Sequence, residues 1–452
     1  MRMSFKMIKS THFLINTRYL VLLVISLASA GCQSIPHTTD QAGVIQKVIS
    51  YDEQLSSNTA GDLQTIKINE ISTLTESDAV LYALNNNAAF KSLLMDLKLA
   101  KADLVNAGLL PNPELLFAFG ATNKPYRYAI DLPIEALWLR PIKLRNMKHE
   151  ADATAYRLTQ SGLNLIKDVR VAYAQAVLAQ GRLKVAESSQ QLRKQIHALS
   201  IMRLEAGDMN GKDILLVQND AAISERDWVL AKYDVSIKMQ GLIYLVGIGY
   251  KQKNMLIADS LIPACNATEV DELLSQSLKQ RPDIVSAQYS IEAAKEKIKL
   301  SKLGWLRFMA TADATSGLVN GHTLGPSIRS SIPIVNQNEG AVSRSEAELE
   351  RAELNLEAIK QQALLELKTA HLQYQQTCHD WKVLNSTLLP TAQQLIQLTN
   401  QAYQKGDISY LQTLEANRQL VDAQMREVQL KAELVTKHAE LMRNMTKSVD
   451  VR

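Results

Sequence analysis

YQKGDISYLQTL, Tyr403 to Leu414, lies between two long stretches of helical pattern, and it has a counterpart in LEAGDMNGKDIL, Leu204 to Leu215. Both carry a Gly-Asp pair followed by a Leu eight residues after the Gly, and the two glycines, Gly207 and Gly406, stand 199 residues apart. A Gly that ends one helical run shortly before another begins marks a hairpin tip, because Gly turns left-handed without a steric penalty. The chain reads as built twice around such a tip.

Working outward, Ile142 to Ala206 holds no proline and no turn cluster, and Gly340 runs to Leu389 before Pro390, where a kink or step is expected before Thr391 to Gln404 resumes. In the second run Leu349, Ala352, Leu356, Ile359, Ala363, Leu367, Ala370 and Tyr374 form a heptad seam with one stutter. The returning helices, Asp213 to Gly247 and Ile408 to Met445, match at the same offset through Leu215 and Leu414, Gln218 and Asn417, Ala222 and Val421. Each half also opens on a helix. The first runs from Leu74 to the stop at Pro111, with Thr75 as N-cap and Glu76 and Asp78 in its first turn. Residues 270 to 304 repeat it, Leu84, Phe90 and Leu109 matching Leu278, Ile284 and Leu303.

After each opening helix the apolar period changes from about 3.6 to 2. Phe308, Ala310, Ala312 and Ala314 alternate with polar neighbours in Arg307 to Thr315, as do Ile328, Ile332 and Ile334 in Ser327 to Ile334. In the first half Tyr126, Tyr128, Ile130, Leu132 and Ile134 do the same against Arg127, Asp131 and Pro133. Glu114 to Gly120, apolar on both faces, is its partner strand. These are two hairpins of strands near the roughly 9 to 11 residues that cross an outer membrane, with Trp138 and Trp305 just outside them as interfacial anchors. Soluble hairpins packed on helices are the alternative. Four strands cannot close a barrel alone, since open edges in lipid leave backbone groups unpaired, so spanning strands require an oligomer.

Composition fits long helices: of 452 residues only 5% are aromatic. Residues 1–31 form a signal, with Arg2, Lys6, Lys9 and Arg18 ahead of the apolar Tyr19 to Ala28 and a close at Ser29-Ala30-Gly31-Cys32. That run is too short for a mature membrane helix. Ala-Gly-Cys resembles the bacterial lipobox, which implies lipidation of Cys32; Ser29 departs from the aliphatic residue usual there, and plain cleavage near Ala30 is the other reading. Without the signal, basic and acidic residues balance at 46 each. No basic stripe remains for nucleic acid. Cys265 and Cys378 could pair in an oxidising compartment, but spacing does not show proximity, and pairing stays open.

Helix, Leu-Pro-Asn-Pro break (Leu110 to Pro113), strand pair, and helical hairpin with a Tyr-x-x-Gly tip, all repeated after a lipobox, resemble the outer-membrane efflux protein family of TolC-like and CusC-like channel-tunnel lipoproteins. The resemblance covers roughly residues 72 to 446. It implies a mainly α fold with membrane β: duplicated long antiparallel helical hairpins plus two β-hairpins, giving four strands per protomer to a trimeric 12-stranded barrel continued by an α-helical tunnel. It implies a homotrimer in outer-membrane lipid of a Gram-negative bacterium, with its tips meeting a periplasmic adaptor (membrane fusion) protein and an inner-membrane pump. The expected division is signal 1–31, lipid-anchored extended leader 32–73, first repeat 74–247, connector 248–269, second repeat 270–446 and tail 447–452. Asp213, Tyr403 and Glu415 match periplasmic gate positions of some members, whereas Ile408 stands where those carry Arg and Gln412 where they carry Asp. Gly207, Asp208, Gly406 and Asp407 complete the candidate tip, and the two acids are read both as caps of the returning helices and as gate residues.

No nucleotide motif, catalytic constellation, cofactor site or metal site is expected: His371 and Cys378 lie seven apart on one helical face, about 10 Å. The expected function is a passive exit duct rather than an enzyme, and a non-conducting coiled-coil scaffold lipoprotein is the alternative. Cys32→Ala is expected to abolish labelling by a palmitate analogue. Labelling that persists would place the anchor elsewhere.

Overall fold

The computed structural model describes residues 38–52, 55, 73–120, 126–248, 256–259, 262–265, 278–317, 321–332, 334, 336–405, 407–408 and 410–445. The chain divides into two compact units, one of Met1–Asp40, Asp96–Ala155 and Ser286–Leu356, the other of Gln41–Met95, Tyr156–Val285 and Glu357–Arg452.

The first unit carries a four-stranded antiparallel sheet. Its strands are β2 (Glu114–Ala118), β3 (Tyr126–Pro133), β5 (Phe308–Gly317) and β6 (Gly321–Ser330), in that spatial order. Two hairpins far apart in sequence join where β3 pairs with β5, Tyr126 opposite Ser316 through Pro133 opposite Met309. Helices α3 (Ala88–Gly108), α4 (Ala136–Glu205), α6 (Pro282–Leu303) and α7 (Glu339–Val383) contribute their sheet-proximal ends to this unit. Polar ties hold those ends together. Arg140 Nε donates to the Gly108 carbonyl at 2.6 Å, Asn146 Nδ2 to that of Ala293 at 2.7 Å, and Ser286 Oγ to that of Ala153 at 2.7 Å. Trp138 packs edge-on against Phe308, ring centroids 5.7 Å apart, at the base of the strands.

The second unit holds the rest of α4 and α7 together with α1 (Gln41–Ser50), α2 (Glu76–Asn86), α5 (Gly211–Val246), α8 (Leu389–Lys405) and α9 (Tyr410–Met445). A two-residue parallel ladder joins β1 (Thr73–Leu74) to β4 (Leu256–Ile257). The expected seam is real: Ala363, Leu367, Ala370 and Tyr374 of α7 are buried, and Leu367, Ala370 and Tyr374 cluster with Leu434 and Leu441 of α9. On its other side α9 meets α4 through Ala174, Leu178, Ala432 and Val435. Close approach there needs Gly181, since a Cβ on it would lie 2.3 Å from Val428 Cγ1. Ion pairs staple each hairpin, Arg193 to Asp220 across α4 and α5, and Arg426 to Asp380 and Arg443 to Glu366 across α9 and α7.

Several elements differ from expectation. The leader was expected to be extended, yet Gln41–Ser50 is helical and buries Val44, Val48 and Ile49. Gly162 of α4 accommodates it, because a Cβ there would stand 2.5 Å from Val48 Cγ2. Just beyond, the buried Asp52 pairs with the buried Arg170 at 2.9 Å, and Arg170 also reaches Glu76 at 3.2 Å. Burial, with Arg170 nearby, keeps the imidazole of His438 below its ordinary pKa. The first opening helix is two helices. Thr75 and Asp78 form the expected capping box of α2, but Asn87 breaks the run: its N–H closes α2 on the Ala83 carbonyl, its Oδ1 accepts from Phe90 N–H in the first turn of α3, and its Nδ2 donates to Leu245. Helix α4 starts before Pro141, which sits within its second turn and removes one ladder bond near the helix start. At Pro390 the expected step takes the form of a π turn, Leu384–Leu388, just before it, and α8 continues. Finally, β6 begins at Gly321 rather than Ser327 and stops before Ile332 and Ile334. Its Pro326 is tolerated because β6 is an edge strand of this sheet.

Gly247 ends α5 in the left-handed region at φ +75°, and a Cβ on it would meet the Asn86 carbonyl at 2.7 Å. Gly247→Ala therefore combines strain with a backbone clash and is expected to cost about 2 kcal/mol or more. Thermal melting of the purified protein measures it.

Candidate channel wall and hairpin tips

The register assigns every strand residue to one of two faces. Leu115 and Phe117 of β2, Tyr126, Tyr128 and Ile130 of β3, Ala310, Ala312 and Ala314 of β5, and Ile328 of β6 share one face. That face is apolar and open to the surroundings: Leu115 and Ile328 are each 72% exposed, and Tyr126, Tyr128 and Ile130 are exposed too. A contiguous apolar surface of this kind is unfavourable in water and marks contact with a partner or a membrane. The opposite face is polar. Arg127 grips Asp313 with Nε at 3.0 Å and Nη2 at 2.6 Å from the same carboxylate oxygen. Asp131, buried, accepts from Thr311 Oγ1 and has Arg329 at 3.7 Å. Two arginines and two aspartates thus offset each other across three neighbouring strands. Strands β2 and β6 each leave one edge unpaired in the four-stranded sheet.

At the first tip the chain closes α4 with a Schellman motif. Gly207 adopts φ +83°, its N–H donates to the Leu204 carbonyl at 3.1 Å, and the Asp208 N–H donates to that of Arg203 at 2.9 Å. The second tip repeats the outer bond, Asp407 N–H to the Ala402 carbonyl at 3.0 Å. Gly406, like Cys32, lies outside the described residues. Asp208 and Asp407 are exposed, and at the first tip the cap is another residue. Asn210 caps α5, its Oδ1 accepting from the N–H groups of Lys212 and Asp213 at 3.0 and 2.9 Å. Its Nδ2 donates to Asp213 Oδ2 at 2.7 Å, so Asp213 is occupied inside its own turn. Glu415 is exposed on α9 and accepts from Gln419 at 3.2 Å.

Tyr403 is the candidate that reaches across. The Arg203 guanidinium lies 4.6 Å from its ring centroid, joining the end of α4 to the end of α8. Sequence comparison with the family's gate positions overlooked Arg203, because its partner is an aromatic face rather than an acid. Its place one turn before Gly207 was the available signal. Such a contact contributes about 0.5–1 kcal/mol at an exposed site.

Asn210→Ala removes the side chain that accepts from two first-turn N–H groups of α5, and a lost cap costs about 1 kcal/mol. Opening of this turn is then expected about five times more often, read as faster tryptic cleavage after Lys212. An unchanged cleavage rate would show that the cap does not hold the tip.

The family model for outer membrane efflux protein matches residues 273–445. Over 363 residues the chain is 21% identical to the cobalt-zinc-cadmium resistance protein CzcC of Cupriavidus metallidurans, a match covering 78% of this chain and 85% of that protein. Over 438 residues it is 23% identical to the cation efflux system protein CusC of Escherichia coli, covering 88% and 91%. A crystal structure of CusC superposes with a TM-score of 0.70 at 18% identity, covering 82% of this chain and 91% of that one. That study concerns conformational changes accompanying folding and transmembrane channel formation. The sequence of the second repeat thus matches the outer membrane efflux protein family, and the fold of the chain is that of the CusC structure.

Proposed function

We propose that this protein is the outer-membrane exit duct of a tripartite efflux system, working as a homotrimer fed by an inner-membrane pump through a periplasmic adaptor. The four-stranded sheet carries the reading: one face apolar and bare, the other ion-paired, and two edges open. In hydrocarbon every backbone N–H and carbonyl needs a partner inside the protein. Three such sheets joined edge to edge make a barrel of twelve strands with its apolar face in lipid and its charges toward water. Lipid on Cys32 would hold the same leaflet. The helical hairpins carry the path on, and their tips, with Asp208, Asp213, Tyr403, Asp407 and Glu415, form the periplasmic mouth.

The proposed duct carries out no catalytic step, which leaves the work of transport to the pump. Cations are the cargo class supported first, because both curated relatives are named for them. Purified protein in a planar bilayer is expected to show small, infrequent openings, and Arg203→Ala with Tyr403→Ala to raise open probability several-fold. No conductance in either form would favour the scaffold reading. Deleting the gene is expected to sensitise cells to cobalt, zinc or cadmium salts. Sensitisation to organic drugs alone would reassign the cargo.

A further inference from the structure

Residues 256–259 and 262–265, which lie between the repeats, are held at three places within the second unit. At one end β4 pairs with β1, and the buried Tyr173 of α4 donates to the Ala258 carbonyl at 2.7 Å while lying 3.0 Å from that of Leu74. At the other, the buried Tyr374 of α7 donates to the Ala264 carbonyl at 3.0 Å. One turn further along α7, Cys378 forms a disulfide with Cys265, their Cα atoms 5.8 Å apart. We infer that these residues form an oxidation-locked strap that ties the second repeat's long helix to the first repeat's, and that oxidation of Cys265 and Cys378 is a maturation step on which assembly depends.

The order of the chain supports this. The cysteines stand 113 positions apart, and the chain between them contains α6, β5, β6 and most of α7, so the bond closes a loop around the whole second β-hairpin. A cross-link over a loop of that size removes much of the freedom of the unfolded chain. Tyr173 and Tyr374 then need only position a segment already held covalently at one end. Neither phenol is poised to ionise, since burial raises both. Forming the bond takes two electrons and two protons from the two thiols. The acceptor is the active disulfide of an exported thiol oxidase, which leaves as a dithiol. Cys265 is exposed at the surface of the folded chain, where such a partner can reach it.

Thiol trapping of the full-length purified protein with a maleimide reagent tests the bond. Reduction is expected to add two reactive thiols, and a count unchanged by reduction overturns the proposal. Cys265→Ser, Cys378→Ser and the double variant are expected to lower the melting midpoint by several degrees to the same extent, and to lower the yield of detergent-resistant trimer several-fold. Tyr374→Phe should cost more in the double variant than in the bridged protein. If the serine variants do not accumulate, melting the wild type with and without dithiothreitol gives the same comparison. Melting and trimer yield that ignore both reduction and substitution overturn the strap, whatever the outcome of conductance measurements.

Discussion

An unpaired strand edge in hydrocarbon is the constraint on which this architecture rests. One chain supplies four strands and ends the sheet at β2 and β6, elements from different repeats. The two edges are chemically unlike, so the contact that satisfies them is head-to-tail, and a head-to-tail contact closes only as a ring. Even within the chain the constraint acts, because β3 and β5 must find each other across the whole first helical hairpin. Non-local pairing of that kind is slow to form. The covalent strap at Cys265 and Cys378 and the buried Asp52–Arg170 pair both act on the helical part, and they organise it without help from lipid.

Duplication supplied two similar hairpins, and their differences lie where the halves meet. Both tips use the same backbone bond, Asp208 to Arg203 and Asp407 to Ala402. The side chains beside it have diverged: the first tip offers Arg203 and the second Tyr403, and together they make a contact neither repeat could make with itself. The stapling ion pairs are reversed in sense. Arginine sits on the outgoing helix of the first hairpin at Arg193 and on the returning helix of the second at Arg426.

Much of this was legible in the sequence where one rule governed locally. The tip glycine Gly207, the Thr75–Asp78 capping box, the seam from Ala363 through Tyr374 and the alternation of β3 and β5 all follow from short-range sterics and period. What escaped needed tertiary facts. The helix at Gln41–Ser50 is short and gains stability only against Gly162 and its neighbours. Asn87 looked like one of three asparagines in a helix, and its role depends on Leu245, far away in the chain. Gly321, Gly325 and Pro326 are residue types that usually interrupt strands, and an edge position makes them acceptable in β6. At the hairpin tips, family positions pointed to Tyr403 and Asp213 but not to their partners, since partner choice is set by packing.

The π turn at Leu384–Leu388 has a consequence for how faces are read along the second hairpin. Buried positions there run Leu384, Leu389, Ala392 and Ile396, a step of five followed by steps of three and four. One residue inserted into an α ladder turns everything beyond it by about 100°. Without that rotation Leu388 would take the inward place that Leu389 occupies; instead it is 52% exposed. The stretch between Leu389 and Lys405 is therefore a separate phase of the same rod, and the surface it presents next to the tip is chosen by a single supernumerary residue rather than by the heptads that precede it.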